Sequence, residues 1–366
     1  MKSARKPVWL DCDPGHDDAI AILLAVHLPD IQLLGVSTVH GNTTAECTKL
    51  NAIRLLHAFG APGEIDVYPG AIRPLIRIPR ADPEIHGIDG LGGVQGLPTP
   101  LDEAIQGRLA RSKYLKAVEG IARAVRETWN EGAGEKVHLI ATGPLTNIAL
   151  FLSVYPELLP GIEQIYFMGG GVGVGNRSAV AEFNILCDPE AAQIVLDAPI
   201  PKIMIPLNVT HTAIFTRGLH DRLLSPFSFG SVASSDVLPP AESPLRHTLS
   251  TLLSFFAETY KSTFGFHSGP PLHDVLTLAF VSRPDLFTYT RYRVDVELGS
   301  LHTVGETVVD AWNYRKMDDS WGPTGKNCLV AESVNVPEFF ELFFEAVHNC
   351  DKISPLNTGA SFPSMS

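Results

Sequence analysis

Thiols are scarce in this chain, and the few it has are scattered. The five cysteines among 366 residues form no Cys-x-x-Cys pair and no zinc-ligand spacing, so neither a disulfide framework nor a zinc site is predicted. No segment reaches the run of about eighteen apolar residues that a membrane span requires. The N-terminal residues arrive at Asp11 before an apolar signal-peptide core can form. We therefore expect a reducing, cytoplasmic location and no membrane partner.

Positive charge is also in short supply. Lysine and arginine number 28 against 40 aspartates and glutamates, which gives a net charge of -12. Such a chain repels polyanions, and it has no basic patch interleaved with aromatic residues. These features argue against nucleic acid as a partner and favour a small or neutral ligand.

Apolar segments alternate with helix-like segments through the first half of the chain. The strand-like runs 7–13 and 31–42 are each followed by a segment of helical composition, and residues 110–130 predict an amphipathic helix. This alternation predicts an α/β fold, a doubly wound and mostly parallel sheet with helices on both faces. We expect a single domain over residues 7–348, with functional side chains at the carboxyl ends of the strands.

Three segments depart from this alternation. Residues 69–105 are rich in proline and glycine, and a loop of this length predicts a lid over a binding site. Residues 225–243 have the composition of a flexible insertion, and residues 354–366 that of a disordered tail. Between them, the apolar runs 294–299 and 306–312 predict a small β-hairpin.

Four aspartates fall within eight residues in the stretch WLDCDPGHDDAIAILLA, residues 9–25. Asp11 and Asp13 share one face of the predicted strand, whereas Asp17 and Asp18 open the following helix. Helix capping with solvated charge explains one such residue, but four gathered carboxylates need a positive partner. Hard oxygen donors suit Ca²⁺ or Mg²⁺, and Ca²⁺ is favoured because its coordination tolerates irregular ligands.

Motifs of other ligand-binding classes do not fit. The aspartate cluster has Gly15 and His16 where an EF-hand loop requires an acidic or amide residue followed by glycine. Gly15 also stands where the haloacid dehalogenase phosphatase motif has Thr or Val. The segment 322–327 lacks the first glycine and the final Ser or Thr of a phosphate-binding loop. A phosphate-handling site therefore has little support.

Seven short motifs are spread along the chain. They are DCDPGHDDAIAI (11–22), HGN (40–42), IHGIDGLGG (85–93), ATGPLTN (141–147), FMGGG (167–171), AEFNILCDPEAA (181–192) and HD (273–274). Together they resemble the nucleoside hydrolases, the inosine/uridine-preferring ribohydrolase family, and look most like its fungal uridine ribohydrolases. The resemblance implies hydrolysis of the N-glycosidic bond of ribonucleosides to ribose and free base, by a homodimer or homotetramer.

The same resemblance implies roles for individual residues. It implies a Ca²⁺ ion held by Asp13, Asp18 and Asp274 and by the carbonyl oxygen of Thr142. Asp13 is the expected general base for a water molecule, and His273 is the expected acid that protonates the leaving base. The expected substrate-binding residues are Asp17, Asn42, His86, Met168, Asn176, Glu182, Phe183 and Asn184.

Two other functions stay open at the level of the sequence. A Mg²⁺-dependent phosphohydrolase would use the same aspartates, and a catalytically silent protein would bind a nucleoside or ribose without cleaving it. Among the ribonucleosides, we expect uridine to be the first substrate and inosine and other purine nucleosides the next. Nicotinamide riboside is a further candidate.

Overall fold

The computed structural model describes residues 5–226 and 237–358. The strands are β1 (Lys6–Cys12), β2 (Ile31–Thr38), β3 (Val67–Pro69), β4 (Val137–Ala141), β5 (Ile162–Met168), β6 (Lys202–Ile205), β7 (Phe287–Val296), β8 (Thr307–Asp310) and β9 (Cys328–Val334). The helices are α1 (His16–His27), α2 (Ala45–Ala58), α3 (Pro83–His86), α4 (Glu103–Ser112), α5 (Ala117–Trp129), α6 (Thr146–Val154), α7 (Phe183–Cys187), α8 (Pro189–Asp197), α9 (Leu207–Thr210), α10 (Arg217–Leu224), α11 (Pro244–Phe264), α12 (Val275–Ser282) and α13 (Val336–Ile353).

The strands form one mostly parallel sheet, which confirms the predicted fold class. Their order is β3-β2-β1-β4-β5-β6-β9-β7-β8, and antiparallel pairing among them is confined to β7, which pairs with β9 and β8. β1 lies between β2 and β4 and runs parallel to both. The strand order therefore reverses beside β1, and a crevice opens at the carboxyl ends of β1 and β4.

Helices cover both faces of the sheet, as predicted. One apolar core joins the sheet to α1, α2, α11, α12 and α13, and a second core joins its other face to α5, α6 and α8. Residues 19–25 of α1 are all buried, so this helix lies inside the protein. Because α1 is closely packed along its length, its first turn is held in place next to the carboxyl end of β1.

The remaining local predictions meet mixed outcomes. The C-terminal hairpin is confirmed, because β7 and β8 pair in antiparallel fashion. The amphipathic helix predicted over 110–130 is confirmed as α5 from Ala117 to Trp129, but its predicted start is wrong because residues 110–112 belong to α4. The segment 69–105 is largely irregular but contains α3, whose Ile85 packs with Phe256 and Tyr260 of α11. Its role as a lid stays a prediction.

The two segments predicted to be flexible are described in part. Residues 227–236 of the insertion lie outside the described residues, and its two ends are tied together by a 2.8 Å hydrogen bond from Ser225 Oγ to Glu242 Oε1. The tail prediction is wrong for residues 354–358, because Ser354 is buried and donates to the carbonyl oxygen of Ala58. Residues 359–366 lie outside the described residues. Within 5–226 and 237–358, no helix has the length and apolar character needed to traverse a bilayer.

Candidate active site

One polar cavity opens where the ends of four strands meet. Asp13 follows β1, Asn42 follows β2, Thr142 follows β4, and Met168 ends β5. All eight residues predicted to bind substrate line it, namely Asp17, Asn42, His86, Met168, Asn176, Glu182, Phe183 and Asn184. Thr142, His273 and Asp274 line it as well, and Asp13 and Asp18 are buried beneath them.

Three carboxylates form a buried cluster on one side of this cavity. Asp17 and Asp18 belong to the first turn of α1, and Asp274 immediately precedes α12. One carboxylate oxygen from each of the three side chains lies within 4.8 Å of the other two. Burial, and then the charge of Asp18, raise the pKa of Asp17 to about 7. Three hard oxygen donors held together against their mutual repulsion fit a divalent cation such as Ca²⁺.

Asp18 is the most firmly anchored member of this carboxylate cluster. Its Oδ2 accepts hydrogen bonds from the main-chain N–H of Gly15 (2.9 Å) and from Asn42 Nδ2 (3.1 Å). Its Oδ1 accepts a hydrogen bond from Thr142 Oγ1 at 2.7 Å. These contacts join the start of α1 to the ends of β2 and β4, so the orientation of Asp18 is set before any ligand binds.

Asp13 presents one carboxylate oxygen that has no partner within the described residues. Its Oδ2 accepts a 2.8 Å hydrogen bond from the main-chain N–H of Asn42, whereas its buried Oδ1 accepts none. Gly41 and Gly143 lie so close on either side that a Cβ atom at either position would overlap the carboxylate. Burial raises the pKa of Asp13 well above its usual range. A fixed carboxylate with a raised pKa and a free oxygen is suited to accept a proton.

His273 is held between two hydroxyl groups. Its Nε2 lies 2.7 Å from the hydroxyl of Tyr260, and its Nδ1 lies 2.8 Å from Thr210 Oγ1. Burial lowers the pKa of His273 well below its usual range, and nearby His211 lowers it further. Burial therefore favours the neutral ring, and both ring nitrogens have a hydroxyl partner through which a proton can pass.

The remaining polar residues of the cavity form a network around the start of α7. Glu182 caps this helix and accepts hydrogen bonds from the main-chain N–H groups of Asn184 (2.8 Å), Ile185 (3.1 Å) and Gly170 (3.0 Å). Burial raises the pKa of Glu182 to about 7. Asn184 Nδ2 donates to the carbonyl oxygen of Thr142 at 2.8 Å, which leaves that oxygen one further lone pair for a ligand.

Sequence reasoning missed several contributors to this site. Tyr260 and Asp82 line the cavity, and Thr210 contacts His273. Asp82 forms an ion pair with Arg177. None of these residues belongs to a motif, because each comes from a helix or loop whose position depends on the tertiary fold. The carboxylate cluster contains Asp17, for which the resemblance implied a contact with the sugar, and it does not include Asp13, which the resemblance implied as a metal ligand.

Three comparisons relate the chain to known proteins. A family model described as inosine-uridine preferring nucleoside hydrolase matches residues 8–341. The chain is 35% identical over 370 residues to a uridine nucleosidase of Saccharomyces cerevisiae, with 97% of this chain and 100% of the yeast protein covered. It is 39% identical over 310 residues to a pyrimidine-specific ribonucleoside hydrolase of an Enterobacter strain, with coverage of 84% and 88%.

A solved structure extends the comparison to the fold. The purine-preferring ribonucleoside hydrolase from Gardnerella vaginalis matches with a TM-score of 0.78 at 27% identity. The match covers 95% of this chain and 100% of the bacterial one. The names of these relatives therefore include both pyrimidine and purine preferences.

Proposed function

The chain belongs to the inosine-uridine preferring nucleoside hydrolase family, and from that premise we propose that it is a Ca²⁺-dependent ribohydrolase that prefers uridine. It hydrolyses the N-glycosidic bond of ribonucleosides. One observation carries the more detailed proposal: a single cavity is lined by polar groups and by Asp17 and Asp274 of the carboxylate cluster, and the free oxygen of Asp13 is buried beside its lining residue Asn42.

The proposed cofactor site uses the buried carboxylates at the cavity floor. Asp18 and Asp274 would hold the cation, with Asp13, Asp17 and the carbonyl oxygen of Thr142 as further oxygen donors. A cation bound there supplies positive charge that makes a water molecule easier to deprotonate and orients sugar hydroxyls. Ca²⁺ is our choice because mixed carboxylate and carbonyl donors on separate elements satisfy its irregular coordination.

The proposed chemistry divides between the two ends of the cavity. Asp13 takes a proton from the water that attacks C1′, and Asn42 holds the carboxylate in place through its main-chain N–H. Positive charge develops on the sugar as the glycosidic bond breaks, and the surrounding carboxylates stabilise it. At the other end, His273 and its hydroxyl partners deliver a proton to the departing base.

Substrate binding is assigned to the polar and apolar halves of the same cavity. Asp17 and Asn42 would contact the 2′-hydroxyl, and Asn176, Glu182 and Asn184 would contact the 3′- and 5′-hydroxyls. The base would then lie near Phe183 and His86, whereas Met168 packs beside Asn184 at the ribose. Uridine is favoured because two relatives above 30% identity carry uridine or pyrimidine in their names.

A panel of substrates tests this proposal. The purified protein with Ca²⁺ is incubated with uridine, cytidine, inosine, adenosine and nicotinamide riboside, and the reducing sugar released is measured. We expect ribose release with the highest kcat/KM for uridine. A higher value for inosine would overturn the base preference. Ligand binding without sugar release would indicate a silent binder, and phosphate release from phosphomonoesters would indicate a phosphohydrolase.

We expect Ca²⁺ to stabilise the fold more at pH 8 than at pH 5. The pKa of Asp17 is raised to about 7 in the folded protein, above the value of about 3.9 for an unfolded aspartate. The folded state then binds a proton that the unfolded state has released, so the stability of the cation-free protein falls as the pH rises through this window. Because Ca²⁺ binds the deprotonated carboxylates, it restores this loss.

Thermal unfolding with and without Ca²⁺ at pH 5, 6.5 and 8 measures this effect. At a hundredfold excess of Ca²⁺ over its Kd, we expect about 2.7 kcal/mol of added stability near pH 8. The Asp274→Asn variant should show a much smaller shift at every pH. A Ca²⁺ effect that is independent of pH, or equal in this variant, would contradict the proposed site.

A further inference from the structure

Three residues from separate sequence motifs form a buried hydrogen-bonded chain that the proposed chemistry leaves unused. His40 comes just after β2, Thr146 begins α6, and Asp188 caps the start of α8. Nε2 of His40 lies 3.1 Å from Thr146 Oγ1, which donates to Asp188 Oδ2 at 2.7 Å. All three side chains are buried. The chain therefore ties the turn after β2 to two helices of the second apolar core.

The direction of the hydrogen bonds along this chain is fixed. A carboxylate oxygen only accepts, so the single hydroxyl hydrogen of Thr146 points to Asp188. Thr146 Oγ1 then accepts from His40, and Nε2 of His40 carries the ring hydrogen. Burial lowers the pKa of His40 to about 4, which keeps the ring neutral. Its Nδ1 is buried and has no partner among the residues that the structure describes, so the contact with Thr146 alone sets the tautomer.

The turn that His40 begins lies against the carboxylate of Asp13. Asn42 lies two residues after His40. Its main-chain N–H donates to Asp13 Oδ2 at 2.8 Å, and its Nδ2 donates to the main-chain carbonyl oxygen of Asp13 at 3.1 Å. Gly41 has no side chain that could hold the turn. The anchors on its N-terminal side are the main-chain N–H of His40, which donates to the carbonyl oxygen of Ala71 at 3.0 Å, and the His40 side chain.

We propose that His40 is a positioning residue that holds the turn 40–42 against the carboxylate of Asp13. This inference rests on the proposed function, in which Asp13 is the general base. His40 is not among the residues that line the cavity, and it acts through the main-chain N–H of Asn42. A displacement of about 1 Å is enough to lower a rate strongly, because the base must face the attacking water in a narrow range of geometries.

Two pairs of substitutions separate the hydrogen bond from the packing of the side chains. Thr146→Val removes the hydroxyl at nearly constant volume, and Thr146→Ser keeps it. His40→Leu removes the donor, and His40→Gln places an amide N–H near the position of Nε2. Thr48→Val is a matched control, because Thr48 is buried in α2 and its hydroxyl donates to the carbonyl oxygen of Ala45 at 3.1 Å. It makes the same chemical change away from Asp13.

Kinetics with two leaving groups give the main test. We expect Thr146→Val and His40→Leu to lower kcat for uridine by about tenfold to a hundredfold, and kcat for 4-nitrophenyl β-D-ribofuranoside by the same factor. Attack by water is common to both substrates, whereas only the base of uridine needs a proton to leave. Thr146→Ser, His40→Gln and Thr48→Val should stay closer to the wild type. A loss confined to uridine, or wild-type kcat values in Thr146→Val, would overturn the positioning role.

A double variant distinguishes the positioning of Asp13 from general damage to the fold. In Asp13→Asn the base is already absent, so adding Thr146→Val should cost a much smaller factor in kcat than it costs in the wild type. A loss by the same factor in both backgrounds would assign the hydrogen-bonded chain a structural role and overturn the inference.

Nitrogen NMR tests the hydrogen-bonded chain independently of turnover. The ¹⁵N resonances of the His40 ring are identified by their loss in His40→Leu. We expect the Nε2–H tautomer in the wild type and in Thr146→Ser, and a mixture of both tautomers in Thr146→Val. An Nδ1–H tautomer in the wild type would overturn the inference. If the expected tautomers are seen but the wild type releases no sugar from any nucleoside, the proposed function fails while the hydrogen-bonded chain stands.

Discussion

Replacing Asp13 with asparagine is expected to lower kcat for uridine by about 10³- to 10⁴-fold while the fold is retained. The amide oxygen of asparagine still accepts the hydrogen bond from the main-chain N–H of Asn42. The amide does not take a proton from water, however, so the attacking nucleophile is no longer generated. Steady-state kinetics with uridine, together with the circular dichroism and unfolding temperature of the variant, measure both parts of this expectation.

Asp11→Asn provides a matched control for this variant. Asp11 is equally buried and lies two residues earlier, and its Oδ1 accepts hydrogen bonds from Ser37 and Asn147. Burial raises the pKa of Asp11 to about 7, so a neutral amide resembles its protonated form. We expect Asp11→Asn to keep most of the activity. If both variants lost activity equally, or if Asp13→Asn stayed active, Asp13 would not be the base.

Replacing His273 with glutamine is expected to lower kcat for uridine by about 10²-fold. The loss should be far smaller for the aryl riboside 4-nitrophenyl β-D-ribofuranoside, whose phenolate leaves without being protonated. Glutamine still reaches one of the two hydroxyl partners, Tyr260 or Thr210, but it cannot pass a proton between them. The departing uracil then leaves as an anion, whereas nitrophenolate needs no proton. The ratio of the two kcat values, compared with the ratio for the wild type, isolates this effect.

A second histidine and tyrosine pair supplies the control for His273. His138 on β4 lies with its Nδ1 2.9 Å from the hydroxyl of Tyr166, and burial lowers the pKa of His138 to about 4. His138→Gln therefore makes the same chemical change in a similar pair outside the cavity. We expect the ratio of its kcat values for uridine and for the aryl riboside to match the ratio for the wild type. Equal losses on both substrates in His273→Gln would assign His273 a structural role only.

The sequence predicts the floor of the cavity well because its polar residues follow apolar strands directly. The carboxyl ends of parallel strands meet at one edge of the sheet, so Asp13, Asn42 and Thr142 had to lie close together once the alternation was recognised. The helix that starts near Asp17 follows from its composition and its acidic first turn. These features depend on local pattern, which a single sequence contains.

Contacts between distant segments could not be derived from local pattern. Asp274 meets Asp18 because α12 packs near α1, and only the family resemblance placed these two carboxylates at one site. Tyr260 lies within α11 among apolar and aromatic neighbours, a position typical of core packing. The break between α4 and α5 falls at residues 113–116, which include neither glycine nor proline. In each case tertiary packing decides the outcome.

The separation of the three clustered aspartates along the chain has a consequence for biosynthesis. Asp17 and Asp18 leave the ribosome early, whereas Asp274 follows only after most of the chain has been made. A nascent chain that ends before α12 carries the first two acids without the third, so they stay hydrated. The proposed cation therefore meets its full set of carboxylates only late in synthesis, and a prematurely terminated product lacks that set.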